Sequence, residues 1–168
     1  MEERNIVLIG FMGSGKSSVA RLLGQQLKRE VISSDEWIVD QEQCPIAEIF
    51  RNKGEAYFRQ LEKKAIAAIA QKQGIIIDCG GGVVLQQENI DILKKNGLLI
   101  YLAATVEFLY SQIQANKDRP LLNVADPLTQ MKQLLEQRES QYEQADIKID
   151  STDKSIDWIA QEIVKRIK

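Results

Sequence analysis

Five short, strongly apolar segments, each separated from the next by a stretch with helical periodicity, restrict this chain to few architectures. The segments are Ile6–Ile9, Val31–Ser33, Ile75–Asp78, Leu98–Leu102 and Ile147–Asp150. Amphipathic stretches run over Ser17–Lys28, Gly54–Gln71, Glu88–Lys95, Val106–Gln114 and Pro127–Gln144, and Ser155–Ile167 forms a last helix. Strands this apolar are buried on both faces, and strands that alternate with helices pair in parallel. The expected class is a three-layer α/β/α domain. At 168 residues the chain has the length of one domain with a single sizeable core. It shows no repeat, low-complexity tract or linker, so residues 1–168 read as one unit.

The turn after the first strand carries chemistry. Gly10-Phe-Met-Gly-Ser-Gly-Lys-Ser17 fits G-x-x-x-x-G-K-[ST], preceded by a buried strand and followed by a helix, which is the context that gives this motif meaning. Backbone N–H groups of Gly13, Ser14 and Gly15 would curl around a polyphosphate, and the helix N-terminus at Ser17 and Ser18 adds a favourable dipole. Lys16 would reach the β- and γ-phosphates, and the Ser17 hydroxyl would ligate Mg²⁺. The motif predicts a nucleotide-phosphate binder.

Composition removes several function classes. A net charge of −2 lacks the electrostatic footprint of a nucleic-acid binder. No apolar run approaches the ~18 residues of a membrane span, and Met1-Glu-Glu-Arg4 does not resemble a signal peptide. Cys44 and Cys79 form no C-x-x-C pair and read as free thiols of a reducing cytoplasm. Histidine is absent, which leaves Asp, Glu and Lys to handle protons. No heptad demands a partner, so the expected state is a monomer.

Ligands of open α/β sheets bind at the carboxyl ends of the strands. Strand two ends in Ser33-Ser-Asp35 and strand three in Asp78-Cys-Gly-Gly-Gly82, so both face the crevice of the glycine loop. The three glycines either offer backbone N–H groups to a small ligand or make a tight strand-to-helix turn. Arg59 and Arg138, taken singly, read as solvated surface residues rather than as site residues. Arg119 lies in Asn116–Asp126, an irregular stretch long enough for a functional lid. An arginine swung over the phosphates stabilises charge in phosphoryl transfer.

In order and spacing, the phosphate loop, the acidic end of strand two, Gly-Glu-x-x-Phe-Arg59, Gly-Gly-Gly82, Arg119-Pro-Leu-Leu122 and Arg138-x-x-x-Tyr142 resemble the shikimate kinases, over roughly Ile6 to Ile163. The resemblance implies an α/β/α P-loop fold with a five-stranded parallel sheet in the order 2-3-1-4-5. It implies substrate-binding helices over about residues 35–62 and a lid over about 115–126. It further implies transfer of the ATP γ-phosphate to the 3-hydroxyl of shikimate, with ATP as co-substrate and Mg²⁺ as cofactor. Arg59 and Arg138 would grip the substrate carboxylate, a task suited to planar guanidinium forks. Asp35 would orient the reacting hydroxyls and take the proton, while Lys16 and Arg119 act on the phosphates. Gly80, Gly81 and Gly82 would contact substrate, with Met12, Phe50, Phe58 and Pro120 as apolar walls. Glu62 would hold Arg59 from one helical turn away.

The sequence departs from that family at two places. The family pattern Asp-x-Asp reads Ser33-Ser-Asp35 here, so its first carboxylate is missing, while strand three ends in Asp78 where a small residue is usual. Asp78 either supplies that carboxylate to the outer shell of Mg²⁺ or caps the glycine turn. Gln112 stands where an arginine often stacks on adenine, with Thr152–Ser155 as the other flank. Three rival readings compete with this one. A small GTPase fails because Arg119 occupies the final position of N-K-x-D. A gluconate kinase would not need two arginines for a carboxylate, and a silent binding protein is favoured only by Ser33.

Overall fold

Along β1 (Asn5–Ile9) every residue is buried, and its apolar side chains divide alternately between two cores. Val7 and Ile9 join one cluster, Ile6 and Leu8 the other. This is the period-two alternation of a strand covered on both faces. With β2 (Val31–Ser33), β3 (Ile76–Asp78), β4 (Gly97–Ala103) and β5 (Ile147–Asp150), it forms a parallel sheet in the order β2-β3-β1-β4-β5. The computed structural model describes residues 4–114 and 124–168.

Helices α1 (Lys16–Leu27) and α7 (Ile156–Arg166) cover the Ile6–Leu8 face through Val19, Leu23, Ile159 and Ile163. The Val7–Ile9 face carries α2 (Ser34–Glu42), α3 (Ile46–Ile69), α4 (Gln87–Asn96), α5 (Val106–Ile113) and α6 (Pro127–Tyr142). Buried Asn5 fixes the entry to the sheet. Its amide donates to the Lys72 carbonyl at 2.8 Å and accepts from the Ile75 N–H at 3.1 Å. No helix among the described residues is long and apolar enough to cross a membrane.

The register across the middle of the sheet bears directly on the site. Leu8 pairs with Asp78, and Asp78 pairs with Ser33. The carboxyl ends of β1, β3 and β2 therefore lie side by side, so the phosphate loop, Asp78 and Ser33 share one edge of the sheet.

Two findings add to the periodic stretches read from the sequence in this region. Gly54 does not start a helix. It breaks α3 in mid-course at φ 81° and ψ 172°, a backbone state only glycine tolerates, so helix runs on both sides of it. The bend lets Phe50 and Phe58 meet at 4.7 Å between ring centroids. Helix α2 is also new relative to the periodic stretches, because Trp37-Ile-Val39 are consecutive and carry no helical spacing.

Candidate active site

The phosphate loop is held open by glycine backbone. Gly15 precedes α1 in the left-handed region at φ 85°, and α1 starts without a side-chain cap or an acidic residue in its first turn. By contrast Ser33, Thr105, Asp126 and Ser155 each cap a helix with a side-chain oxygen. The uncapped N–H groups of α1 are an anion site by construction. Buried Lys16 crosses this loop, its Nζ donating to the carbonyls of Gly10 at 2.8 Å and Phe11 at 3.1 Å. Ser14 is buried beneath the loop, whereas Ser17 and Ser18 are exposed on its rim.

Two cavities adjoin here. The first, about 470 Å³, is bounded by Gly13, Gly15, Lys16, Ser17, Ser18 and Asp78, with Gln112 at its far side. The second, about 580 Å³, is bounded by Phe50, Phe58, Arg59, Glu62, Gly82 and Arg138. Met12, Asp35, Gly80 and Gly81 line both. Asp35 thus stands at the junction, in the first turn of α2.

Close packing accounts for glycine at two of the three positions, Gly80 and Gly82. The Gly80 N–H is already taken, donating to buried Ser34 Oγ at 2.9 Å. What glycine supplies is room. A Cβ on Gly80 would lie 2.6 Å from Asp35 Oδ1, and one on Gly82 would lie 2.3 Å from Arg59 Nη1. The Gly81 carbonyl accepts from Tyr142 Oη and, at 3.4 Å, from Arg138 Nη1.

Neither arginine is a solvated surface residue. Arg138 is buried, its guanidinium 5.5 Å from the Phe11 ring centroid. Arg59 donates to buried Glu62 Oε1 at 2.9 Å, one helical turn away as expected. Burial pushes the Glu62 carboxyl above its ordinary range, Arg59 opposes that rise, and Asp35 adds to it. Glu62 Oε2 has no hydrogen-bond partner among the described residues.

Asp78 touches the phosphate loop itself: Ser17 Oγ donates to its Oδ2 at 2.6 Å. Ser33 has a structural occupation, accepting the Glu36 N–H as the cap of α2. Cys79 and Cys44 are free thiols, and burial pushes the Cys79 thiol well up, so it is no nucleophile at neutral pH. Arg119 and Pro120 lie outside the described residues. The described end of the expected lid, Val124–Asp126, leads into α6, with Asp126 as its cap.

The model of the family described as shikimate kinase matches residues 12–168. The chain belongs to the shikimate kinase family. The shikimate kinase of Caldanaerobacter subterraneus subsp. tengcongensis is 43% identical over 162 residues, covering 96% of this chain and 95% of that protein. That of Sulfurihydrogenibium sp. is 38% identical over 165 residues, covering 98% of both. The structure of shikimate kinase from Acinetobacter baumannii in complex with shikimate matches with a TM-score of 0.94 at 32% identity, covering 98% of this chain and 93% of that one. Membership in the shikimate kinase family makes the chain an ATP-dependent small-molecule kinase.

Two contributors to this shikimate kinase site carry no assignment from the residues alone. Ser34 ties α2 to the glycine turn, and its signal was available. Ser33-Ser-Asp-Glu36 is a capping-box pattern that announces a helix and places Ser34 in its first turn. Tyr142 enters the sequence reading only as part of Arg138-x-x-x-Tyr142. Its contact with Gly81 spans 61 positions of sequence and leaves no local signature.

Proposed function

We propose that this protein transfers the γ-phosphoryl group of ATP to the 3-hydroxyl of shikimate. One observation carries the reading: a cavity built on a phosphate loop and a cavity holding two arginines meet at Asp35. Nucleotide phosphates occupy the first and the anionic acceptor the second, so the reacting atoms come together at the shared wall.

Each side chain then has a task. Lys16 exchanges its loop carbonyls for the β- and γ-phosphate oxygens. Arg59 and Arg138 hold the acceptor carboxylate through charge-assisted hydrogen bonds. Glu62 fixes Arg59 from the wall of the same cavity. Asp35 accepts a hydrogen bond from the reacting hydroxyl, orients it in line and receives its proton. A loose transition state asks for positioning more than for a strong base. Arg119 supplies positive charge to the phosphates, and closure over the site would exclude water and suppress hydrolysis.

The donor set suits Mg²⁺, because the Ser17 hydroxyl and the Asp78 carboxylate present adjacent hard oxygen atoms at the loop. Those two residues would hold the ion, which when bound neutralises phosphate charge.

The test is ADP release, coupled to a spectroscopic readout, with Mg·ATP and either shikimate, gluconate or no acceptor. Turnover dependent on shikimate alone is expected. ATP binding without turnover on any acceptor would refute the proposal.

A further inference from the structure

We propose that Asp78 is a positioning residue for the metal of the nucleotide. It fixes the direction of the Ser17 hydroxyl so that the oxygen lone pairs face the ion, and it anchors the ion's water shell. The inference rests on the kinase reading above.

The geometry carries it. Asp78 ends β3, which pairs directly with β1, the strand that feeds the phosphate loop. Its Oδ2 accepts the Ser17 proton at 2.6 Å, and the residue is only 7% exposed, at the wall of the phosphate cavity. A serine hydroxyl has one proton and two lone pairs. With the proton committed to Asp78, the lone pairs are left for a cation beside the phosphates. Partners of this kind orient metal ligands, and their loss costs about 10–100-fold in metal affinity.

The register supplies a second argument. Ser33 is the cross-strand partner of Asp78 and lines the same cavity. A carboxylate at either position therefore faces the crevice, position 78 being one strand nearer to the loop. Ser33 caps α2, and aspartate is an equally good cap. A carboxylate can thus be grafted at position 33 without disturbing the fold.

The experiment measures Mn²⁺ binding to the ADP complex by electron paramagnetic resonance, alongside ADP affinity in excess chelator, for the whole chain. Asp78→Asn and Asp78→Ser are each expected to weaken Mn²⁺ about 10–100-fold. ADP affinity without metal should hold or rise, since a negative charge has left the phosphate cavity. Adding Ser33→Asp to Asp78→Ser should recover part of the Mn²⁺ affinity. Unchanged Mn²⁺ affinity in Asp78→Asn would overturn the proposal. So would a parallel fall in metal-free ADP affinity, which marks Asp78 as a structural tie between α1 and β3. Because no acceptor is present, the outcome is independent of whether shikimate is the substrate.

Discussion

Gly82→Ala isolates the placement of Arg59 from the rest of the site. The backbone at Gly82 has φ −96° and ψ 5°, which alanine adopts without strain. The added Cβ would lie 2.3 Å from Arg59 Nη1, 2.6 Å from Nη2 and 2.7 Å from Cζ, whereas ordinary contact starts at 3.4 Å. The guanidinium must therefore retreat by about 1 Å, a displacement that can cost about 100-fold where a reacting group is positioned. Arg59 ends a flexible side chain, so the fold accommodates the methyl and only its bond to Glu62 loosens. A loss near 1 kcal/mol, or roughly 2–4 °C in Tm, is expected for a domain of this size. Losing one charge-assisted hydrogen bond to the acceptor corresponds to about 1.5–3 kcal/mol, or roughly 10–100-fold. Steady-state kinetics should show that factor in KM for shikimate, with KM for ATP within about two-fold. Thermal melting monitors the fold. Unchanged shikimate KM would refute the claim that Arg59 grips the acceptor where the structure holds it. An equal rise in ATP KM would place the damage in the phosphate loop instead.

Three further substitutions probe the same pocket. Arg138→Ala removes a buried guanidinium and should raise shikimate KM by roughly 100-fold, leaving nucleotide affinity measured by calorimetry unchanged; a comparable loss of ADP binding would contradict the assignment. Tyr142→Phe leaves the Tyr101 stack at 4.9 Å intact but strips the Gly81 carbonyl of its phenol donor, so Arg138 is drawn onto that carbonyl. Burial holds the phenol protonated, its pKa pushed up to about 12, and shikimate KM should rise several-fold at every assay pH while kcat holds. Glu62→Gln tests the raised carboxyl: the ionised form holds Arg59, so kcat/KM for shikimate should fall about ten-fold near pH 7.5, and the wild-type advantage should shrink as pH drops into the raised titration range. The native state binds this proton more tightly than the unfolded chain, so Glu62 lowers stability as pH rises from 4.5 through its raised native value. If the difference in Tm between the wild type and Glu62→Gln is flat with pH, this reasoning fails.

Most of the sheet was legible because its signal is local. Apolar runs such as Ile6–Ile9 and Leu98–Leu102 can only be strands covered on both faces, and their observed ends shift by a residue or less. The phosphate loop was legible for the same reason, since Gly15, Lys16 and Ser17 act within one turn of chain. Helix α2 was harder. Its apolar residues are consecutive, and the capping box at Ser33–Glu36 was its sole local mark. The kink at Gly54 is a backbone state, which composition does not encode. Least legible were contacts between distant segments: Gly82 against Arg59, Ser34 against Gly80, and Tyr142 against Gly81. Their residue types were visible, but the reason for glycine at 80 and 82 is the volume taken by Asp35 and Arg59, and only folding reveals it.

Three consecutive residues at the end of β2 divide the work of the site, and this division explains how its charge can sit on another strand. Ser33 caps α2, Ser34 ties that helix to the glycine turn through the Gly80 N–H, and Asp35 stands where the two cavities join. Serine and aspartate cap equally well, so a hydroxyl at 33 sacrifices no helix stability. An aspartate at 78, by contrast, sits at 7% exposure and needs a donor to offset its desolvation. Ser17 provides that donor from the first turn of α1, at 2.6 Å. On the proposal above, the same bond that makes a buried carboxylate tolerable also leaves the serine lone pairs for the metal of the nucleotide. If one hydrogen bond serves both stability and metal positioning, as proposed, the two separate only under a probe that reads the metal and the fold independently.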